Sequence, residues 1–359
     1  MTIYILLIIC ILSLGLMCKK RRAYCNPSLG FYPSDKYTKC YLVIIGLYFI
    51  IIAACRADNI GIDTIAYKYA FETDFTKMSL FKSLSFDRFE PGFSFMNKLL
   101  SYIGGFFWLK LFVVSVNIIL VFWTINRYSS LVWFSCLLFF IFAMYRPNIN
   151  EMRQAVAIGI SFFAYQYVIK KEIWRYVVCI GIAALFHVSS IIMIPLYFFS
   201  RFEKIKLKYV IAFMSAFGIL YIYSLIFLDF INYIGRNEYL SNNETGGWSL
   251  FALQTFTVIV AYFQKDKINK SRPIVIAFYF VSMAVVIFPI CHLNPNFFRL
   301  EFFTWFYMII LVPNMLKTID SNIIRYGGII AYSAIGMLQA FSQTYTTDTQ
   351  FVPYMFFWE

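Results

Sequence analysis

The chain has 359 residues, 61% of them hydrophobic and 14% charged, with a mean hydropathy of +0.71. An average soluble domain is about 45–50% apolar and about 25% charged, and 42 Phe and 27 Tyr are more apolar surface than one soluble core hides, which excludes a soluble enzyme, a disordered chain and a disulfide-stapled secreted domain. What is left is an all-α, polytopic integral membrane helix bundle, and the formal net charge of +13 then reads as Lys and Arg collected on cytoplasmic loops rather than as nucleic-acid binding.

Residues 2–18 are apolar and are followed by Lys19, Lys20, Arg21 and Arg22. A cleavable signal carries its charge before the apolar run, so this segment reads as a first span with its N-terminus outside. Eleven further apolar segments follow, at about 40–55, 107–125, 131–145, 153–169, 173–187, 188–200, 208–228, 248–263, 273–290, 297–313 and 324–341. Alternation through twelve spans puts 20 of the 31 Lys and Arg on the cytoplasmic side against five acids, Asp35, Glu172, Glu203, Asp266 and Asp320. The outside keeps 11 basic and 13 acidic residues, a lopsided sorting that fits the positive-inside rule and leaves both termini on the outer side. The whole chain, 1–359, is then one multi-spanning membrane domain. Its long outer segments are 56–106 and 229–247, and long loops that connection alone does not explain tend to carry function. Within the first, the stretch from Phe93 to Gly105 is amphipathic and suits the membrane interface. The eight cysteines form no CxxC pair, so no metal or redox signature is present.

Polar residues concentrate at the outer ends of these segments. The first long loop opens with Arg56-Ala57-Asp58 and continues through Gly61-Ile62-Asp63-Thr64 to Tyr67. A helix after Gly61 would set Asp63 and Tyr67 on one face; the plain alternative is a solvated loop with local Asp–Arg pairing. Next comes Arg146-Pro147-Asn148-Ile149-Asn150-Glu151-Met152-Arg153-Gln154, where Pro147 marks a break and Asn150 is a candidate cap for the helix that follows. Arg153 and Gln154 run straight into apolar sequence, and ionisable groups at that depth usually line a cavity or meet a partner, although an arginine can also snorkel to headgroups. His187 sits between apolar runs, either as a hydrogen-bonded core histidine or as a base or orienting donor. Asn296 is a candidate cap that places Arg299 and Glu301 in the first turns of a span; a cation there opposes the helix dipole, so Arg299 is either paired to Glu301 or held for an anion. In the second long loop Arg236, Glu238, Asn242, Asn243 and Trp248 suit a sugar, as residues of many loops do. Four arginines, Arg56, Arg146, Arg153 and Arg299, thus gather on the outer side, and guanidinium forks suit phosphate and diphosphate oxygens. No DxD pair, HExxH, Walker loop or GxSxG is present, so metal, zinc, nucleotide and serine-hydrolase chemistry have no support.

Taken in order, Arg56…Ile60-Gly61-Ile62-Asp63-Thr64…Tyr67, then Asn150…Arg153-Gln154-Ala155, then Phe186-His187-Val188-Ser189-Ser190, and finally Val352-Pro353-Tyr354 resemble the EpsG-like group of bacterial polysaccharide polymerases, relatives in role of the Wzy-type O-antigen polymerases. The resemblance spans nearly the whole chain. It implies a glycosyl transfer on the outer face of the cytoplasmic membrane, in which a growing glycan moves from undecaprenyl diphosphate onto a new lipid-linked repeat unit, without metal or other cofactor. The product would be O-antigen or exopolysaccharide, and a chain-length regulator protein would be a further partner. On that reaction, Arg153 and Arg56 are the first candidates to meet the diphosphate, with Arg146 and Arg299 behind them. Asp63 is the first candidate base and His187 the second. Asp58 and Gln154 would orient sugar hydroxyls, with Tyr67 and Glu151 in the binding site. Competing readings are a flippase for the same lipid-linked unit, an O-antigen ligase and a membrane acyltransferase; the outer clustering of the polar motifs disfavours the flippase.

Overall fold

The structure, a computed structural model, describes residues 2–18, 21, 31–233, 247–293, 295–345 and 353–358. The described residues form helices joined by turns, with no strand beyond one isolated bridge between Arg56 and Phe356. In chain order the helices are α1 (Thr2–Gly15), α2 (Lys36–Ala54), α3 (Thr64–Ala70), α4 (Leu80–Ser83), α5 (Pro91–Ile103), α6 (Phe107–Tyr128), α7 (Val132–Ile141) and α8 (Met152–Lys170). They continue as α9 (Ile173–Ala184), α10 (Leu207–Tyr233), α11 (Trp248–Phe263), α12 (Lys265–Ile268), α13 (Arg272–Cys291), α14 (Pro295–Trp305), α15 (Met308–Lys317) and α16 (Asn322–Tyr345).

Four of these, α2, α6, α10 as far as Phe227, and α13, are long and apolar enough to cross a membrane by length and composition. Helices α1, α7, α9 and α11 are apolar but shorter. The segment read as a span at 188–200 is a run of 3₁₀ turns, Val188–Met193 and Pro195–Arg201, in which Pro195 supplies no backbone N–H to an α-helical ladder. The segment at 297–313 is divided between α14 and α15, and the one at 131–145 stops at Ile141, just before Ala143 turns to φ 58°.

Local chemistry sets several starts. Asp35 caps α2, its carboxylate accepting from the Thr38 N–H at 3.0 Å and from the Thr38 hydroxyl at 2.6 Å. Pro91 opens α5 at a position where a missing N–H costs nothing.

Helices α2 and α6 run antiparallel between two chemically different ends of the bundle. At one end the Tyr32 N–H donates to the Arg127 carbonyl at 2.8 Å, joining the start of α2 to the end of α6. Basic side chains gather there: Lys171 pairs with Glu203 at 3.0 Å, Lys267 with Asp320 at 2.6 Å, and the Arg272 Nε donates to the Ile169 carbonyl at 2.8 Å. At the other end the Lys110 ammonium donates to the Arg56 carbonyl at 2.7 Å, joining the end of α2 to the start of α6. The tail docks at this second end. The Ala57 N–H donates to the Met355 carbonyl and the Phe357 N–H to the Cys55 carbonyl, both at 2.9 Å, and the Tyr354 hydroxyl reaches the Ile52 carbonyl at 2.8 Å. Tyr354 also meets Tyr4 edge to face at 5.9 Å, so the first and last described segments lie at one end.

The segment 56–106, expected as a long loop, is a folded helical cap. Tyr67, Phe71, Phe75, Phe89, Phe93 and Phe106 form an apolar cluster of their own beneath it. Helix α5 turns Phe93, Asn97 and Leu100 into that cluster, so the face expected to lie in the membrane interface is largely occupied by protein. Arg236, Glu238, Asn242 and Asn243 of the second long segment lie outside the described residues, as do Val352 and the side chain of Asn296.

The link between cap and bundle is Arg56, whose side chain is wholly buried. Its Nη2 donates to the Ile149 carbonyl at 2.9 Å and the Thr64 hydroxyl at 3.3 Å, its Nε to the Ile60 carbonyl at 3.3 Å, and its Nη1 to the Ala53 carbonyl. A guanidinium committed to carbonyls in this way is part of the framework, where the sequence reading offers it to a diphosphate. Replacing it by Met leaves several buried carbonyls without donors. Arg56→Met is expected to lower stability, at about 1–3 kcal/mol for each buried acceptor left unsatisfied. A fall in melting temperature and in monodisperse yield of the detergent-solubilised protein checks this; an unchanged melting curve would count against the framework role.

Candidate functional site

Three segments meet at the end of the bundle that holds the tail. The first is the turn into α3. Gly61 has φ 99°, and a Cβ there would lie 2.7 Å from the Thr64 hydroxyl and 2.8 Å from Asn150 Oδ1, so only glycine lets the turn sit against residue 150. The Thr64 hydroxyl then donates to the Ile149 carbonyl at 3.0 Å. Asp63 heads α3 and Tyr67 follows one turn later, its N–H donating to the Asp63 carbonyl at 3.1 Å. The helical placement of these two residues on one face is therefore seen.

The second segment is the 3₁₀ turn Arg146–Asn148 leading into α8. Asn117 of α6 holds it, donating to the Ala155 carbonyl at 2.7 Å and accepting from Asn148 at 3.1 Å. Glu151, not Asn150, stands at the head of α8, and neither residue makes a side-chain cap; the Asn150 amide is buried with no hydrogen-bond partner among the described residues. Glu151 is also buried, 3.9 Å from Arg146 Nη2. Burial pushes its carboxyl up, Asp63 adds to this, and the charges of Arg146 and Arg299 oppose it.

Helix α14 brings in the third segment. Arg299 Nη2 lies 3.6 Å from the Asp63 carboxylate, and the Arg299 carbonyl accepts from Gln154 Nε2 at 2.5 Å. Arg299 is thus paired with Asp63, not with Glu301, which instead accepts from Gln254 at 2.5 Å. The contacts of Arg146 and Arg299 with their acids are loose ion pairs without a hydrogen bond, and the two side chains remain 30% and 37% exposed. Their donors are available to an incoming anion.

Beside this group lies a tighter one, centred on Glu90. Arg153 Nη1 donates to Glu90 Oε2 at 2.6 Å, and His187 Nδ1 lies 3.1 Å from Oε1, which also accepts from the Val188 N–H at 3.3 Å. Arg153 Nε reaches the Tyr67 hydroxyl at 3.4 Å, and its guanidinium lies 5.1 Å from the centre of the Phe89 ring. Burial of Tyr67 pushes its hydroxyl pKa up, and Arg153 pulls it down. Tyr67 also feels both Asp63 and Glu151, and so stands between the two groups.

Of the residues singled out in the sequence, Asp63, Tyr67, Arg146, Glu151, Arg153, Gln154, His187 and Arg299 come together. Arg56 does not, and neither does Asp58, whose carboxylate is held by Lys110 at 2.6 Å and Lys68 at 2.9 Å instead of by Arg56. His292 packs between Trp248 and Phe288. Glu90 was not among the expected residues. Its signal was the run Glu90-Pro91-Gly92 directly before an amphipathic segment, which marks a helix start carrying a carboxylate. Among the described residues no three His, Cys, Asp or Glu side chains converge as a metal-ligating group.

Compared with known proteins, the chain matches the model of the EpsG family over residues 39–356. No curated protein and no solved structure matches it.

The Glu90 carboxylate gives the site a pH signature. Burial alone would raise its pKa, but the His187 hydrogen bond and the charge of Arg153 outweigh that and hold it at about 2. A carboxylate held below its ordinary value of 4.5 stabilises the fold fully above that pH, and the contribution is lost as pH falls through 4.5 toward 2. The melting temperature of the wild type is therefore expected to exceed that of Glu90→Gln at about pH 6, with the gap narrowing below pH 4.5 and closing only as pH approaches about 2. Curves that stay parallel over this range would show that the carboxylate is not ionised in the fold.

Proposed function

The chain belongs to the EpsG family, and from that premise we propose that it polymerises lipid-linked oligosaccharide repeat units into a bacterial surface glycan, O-antigen or exopolysaccharide. The growing glycan moves from undecaprenyl diphosphate to a hydroxyl of the next lipid-linked unit. The observation that carries this reading is the pair of loosely held guanidinium groups, Arg146 and Arg299, whose charges both act on buried Glu151.

In the reaction, the acceptor hydroxyl gives its proton to a base and its oxygen bonds to the anomeric carbon of the donor sugar. The bond from that carbon to the diphosphate oxygen breaks, and lipid diphosphate leaves with the electron pair. Negative charge grows on the leaving oxygens, and fixed donors there lower the barrier. Arg146 and Arg299 suit this position better than Arg153, whose Nη1 is committed to Glu90. The order of candidates read from the sequence is thus reversed. With cationic side chains in this role, the reaction is read as metal-independent. Asp63 and His187 are the two groups of the site that can accept the proton, and Gln154 sets the Arg299 backbone through its hydrogen bond.

The basic end of the bundle suits the cytoplasmic face under the positive-inside rule. That orientation puts the site at the periplasmic face of the inner membrane, the side where lipid-linked units await assembly. Twelve spans with both termini outside fit the same arrangement, the shorter helices crossing in company with the four long ones.

A gel of surface glycan from a strain lacking the gene tests the reading. The expected pattern is core capped with a single repeat unit and no long ladder, restored on complementation. Absence of any repeat on the core would point to a flippase, and polymer stranded on lipid to a ligase. Arg146→Ala and Arg299→Ala are each expected to reduce polymer synthesis by about 10²–10³-fold at unchanged protein level, the usual effect of removing one donor to a developing oxyanion. Full ladders from both variants would remove the arginine assignment.

A further inference from the structure

Glu90 and His187 are 97 residues apart in sequence, yet the backbone brings them together through one close contact. The N–H groups of Gly92 and Phe93, in the first turn of α5, both donate to the Leu185 carbonyl, at 2.8 and 3.2 Å. This contact requires glycine. A Cβ on residue 92 would lie 2.8 Å from both the Cβ and the carbonyl oxygen of Leu185. The end of α9 is therefore fixed against the start of α5. Two residues beyond Leu185, His187 has an extended backbone, φ −156° and ψ 113°, and two residues before Gly92 stands Glu90.

The hydrogen bonds around Glu90 decide how the imidazole is held. An ionised carboxylate only accepts. Oε2 accepts from Arg153, and Oε1 accepts from the Val188 N–H, so the short contact from Oε1 to His187 requires a proton on Nδ1. In the neutral ring the lone pair is then at Nε2. Tyr67 and Phe89 pack alongside through Arg153, and the histidine and the glutamate side chains are each only 14% exposed, so bulk water does not scramble the pairing.

We propose that Glu90 is the positioning residue of this site, holding His187 by Nδ1–H so that Nε2 is the atom that takes the proton from the attacking hydroxyl. This rests on the polymerase reading for the identity of the hydroxyl, but not for the orientation of the ring. On this assignment Asp63 serves Arg299 as its counter-ion and His187 is the base. The proton moves from the acceptor oxygen to Nε2, giving an imidazolium that the Glu90 carboxylate stabilises, and leaves to water after the lipid diphosphate departs.

The chain has only two histidines, which makes the ring directly observable. Nitrogen NMR of 15N-histidine-labelled full-length protein in nanodiscs, with His292→Asn to assign the signals, is expected to show neutral His187 as the Nδ1–H tautomer. Free imidazole side chains favour Nε2–H, and Glu90→Ala and Gly92→Ala are each expected to shift His187 toward that form. In turnover of purified lipid-linked repeat units, Glu90→Ala is expected to lower kcat by about 10²–10⁴-fold, the range for a lost general base, with KM changed by less than about threefold. A wild-type ring found as Nε2–H overturns the proposal without reference to any variant or to activity. So does a Glu90→Ala protein that keeps the wild-type tautomer, or one in which only KM changes. A wild-type Nδ1–H ring in a protein whose deletion leaves the glycan ladder intact would uphold the orientation and overturn the polymerase reading alone.

Discussion

A buried positive charge without a hydrogen-bonded carboxylate is the constraint on which the rest of the molecule depends. Arg56 lies where α2 ends, inside a medium that solvates ions poorly, and it is tolerated only because carbonyl oxygens from three separate stretches of chain turn toward it. Those stretches are the end of α2, the turn before α3 and the turn before α8. Each is bound to the cation more firmly than it could be to the others, since hydrogen bonds to a charged group are worth about 1.5–3 kcal/mol apiece. Lys110 adds a second layer, joining the Arg56 carbonyl to Asp58. The segments that bear Asp63, Glu151 and Arg153 are thereby fixed before any substrate arrives.

Around that framework the arginines divide by how fully they are satisfied. Arg56 has carbonyls at every edge. Arg153 is held by a short contact to Glu90 and a longer one to Tyr67. Arg146 and Arg299 are held only by charge at 3.9 and 3.6 Å, and they keep the greater exposure. For the reaction proposed above, in which a diphosphate is gripped and then released, such a gradient is an advantage. Cations already saturated give it shape, and under-satisfied ones give it affinity. Buried Glu151 feels the charges of both loose arginines.

Much of this was legible in the residues. Apolar runs and charge sorting gave the helical bundle and the location of its basic end, because those signals are summed over many residues. The turn at Gly61 and the Asp63–Tyr67 pair followed from spacing. What failed were judgements about partners. Arg56 and Asp58, two residues apart, looked like a local pair, yet one is used by carbonyls and the other by Lys110 and Lys68. Spacing cannot say how deep a side chain lies. The pairing of Arg299 with Asp63 joins residues distant in sequence, and Glu90 was lost inside a segment read as a loop although it folds as a helical cap. Helix-breaking at Pro195 and around Tyr307 was hidden by apolar composition, which records what faces lipid or core and not whether the backbone stays α-helical.

The docking of the tail also bears on the order in which the molecule is completed during synthesis. The Tyr354 hydroxyl and the Ile52 carbonyl it reaches are 302 residues apart. Helix α2 is made before the tail, and the backbone groups of Cys55 and Ala57 that pair with Phe357 and Met355 must wait until those residues have been added. Until then the edge beside Arg56 is open. Closing it comes after the helices it seals have been made, so the contacts that complete this end of the bundle are the ones of greatest sequence separation.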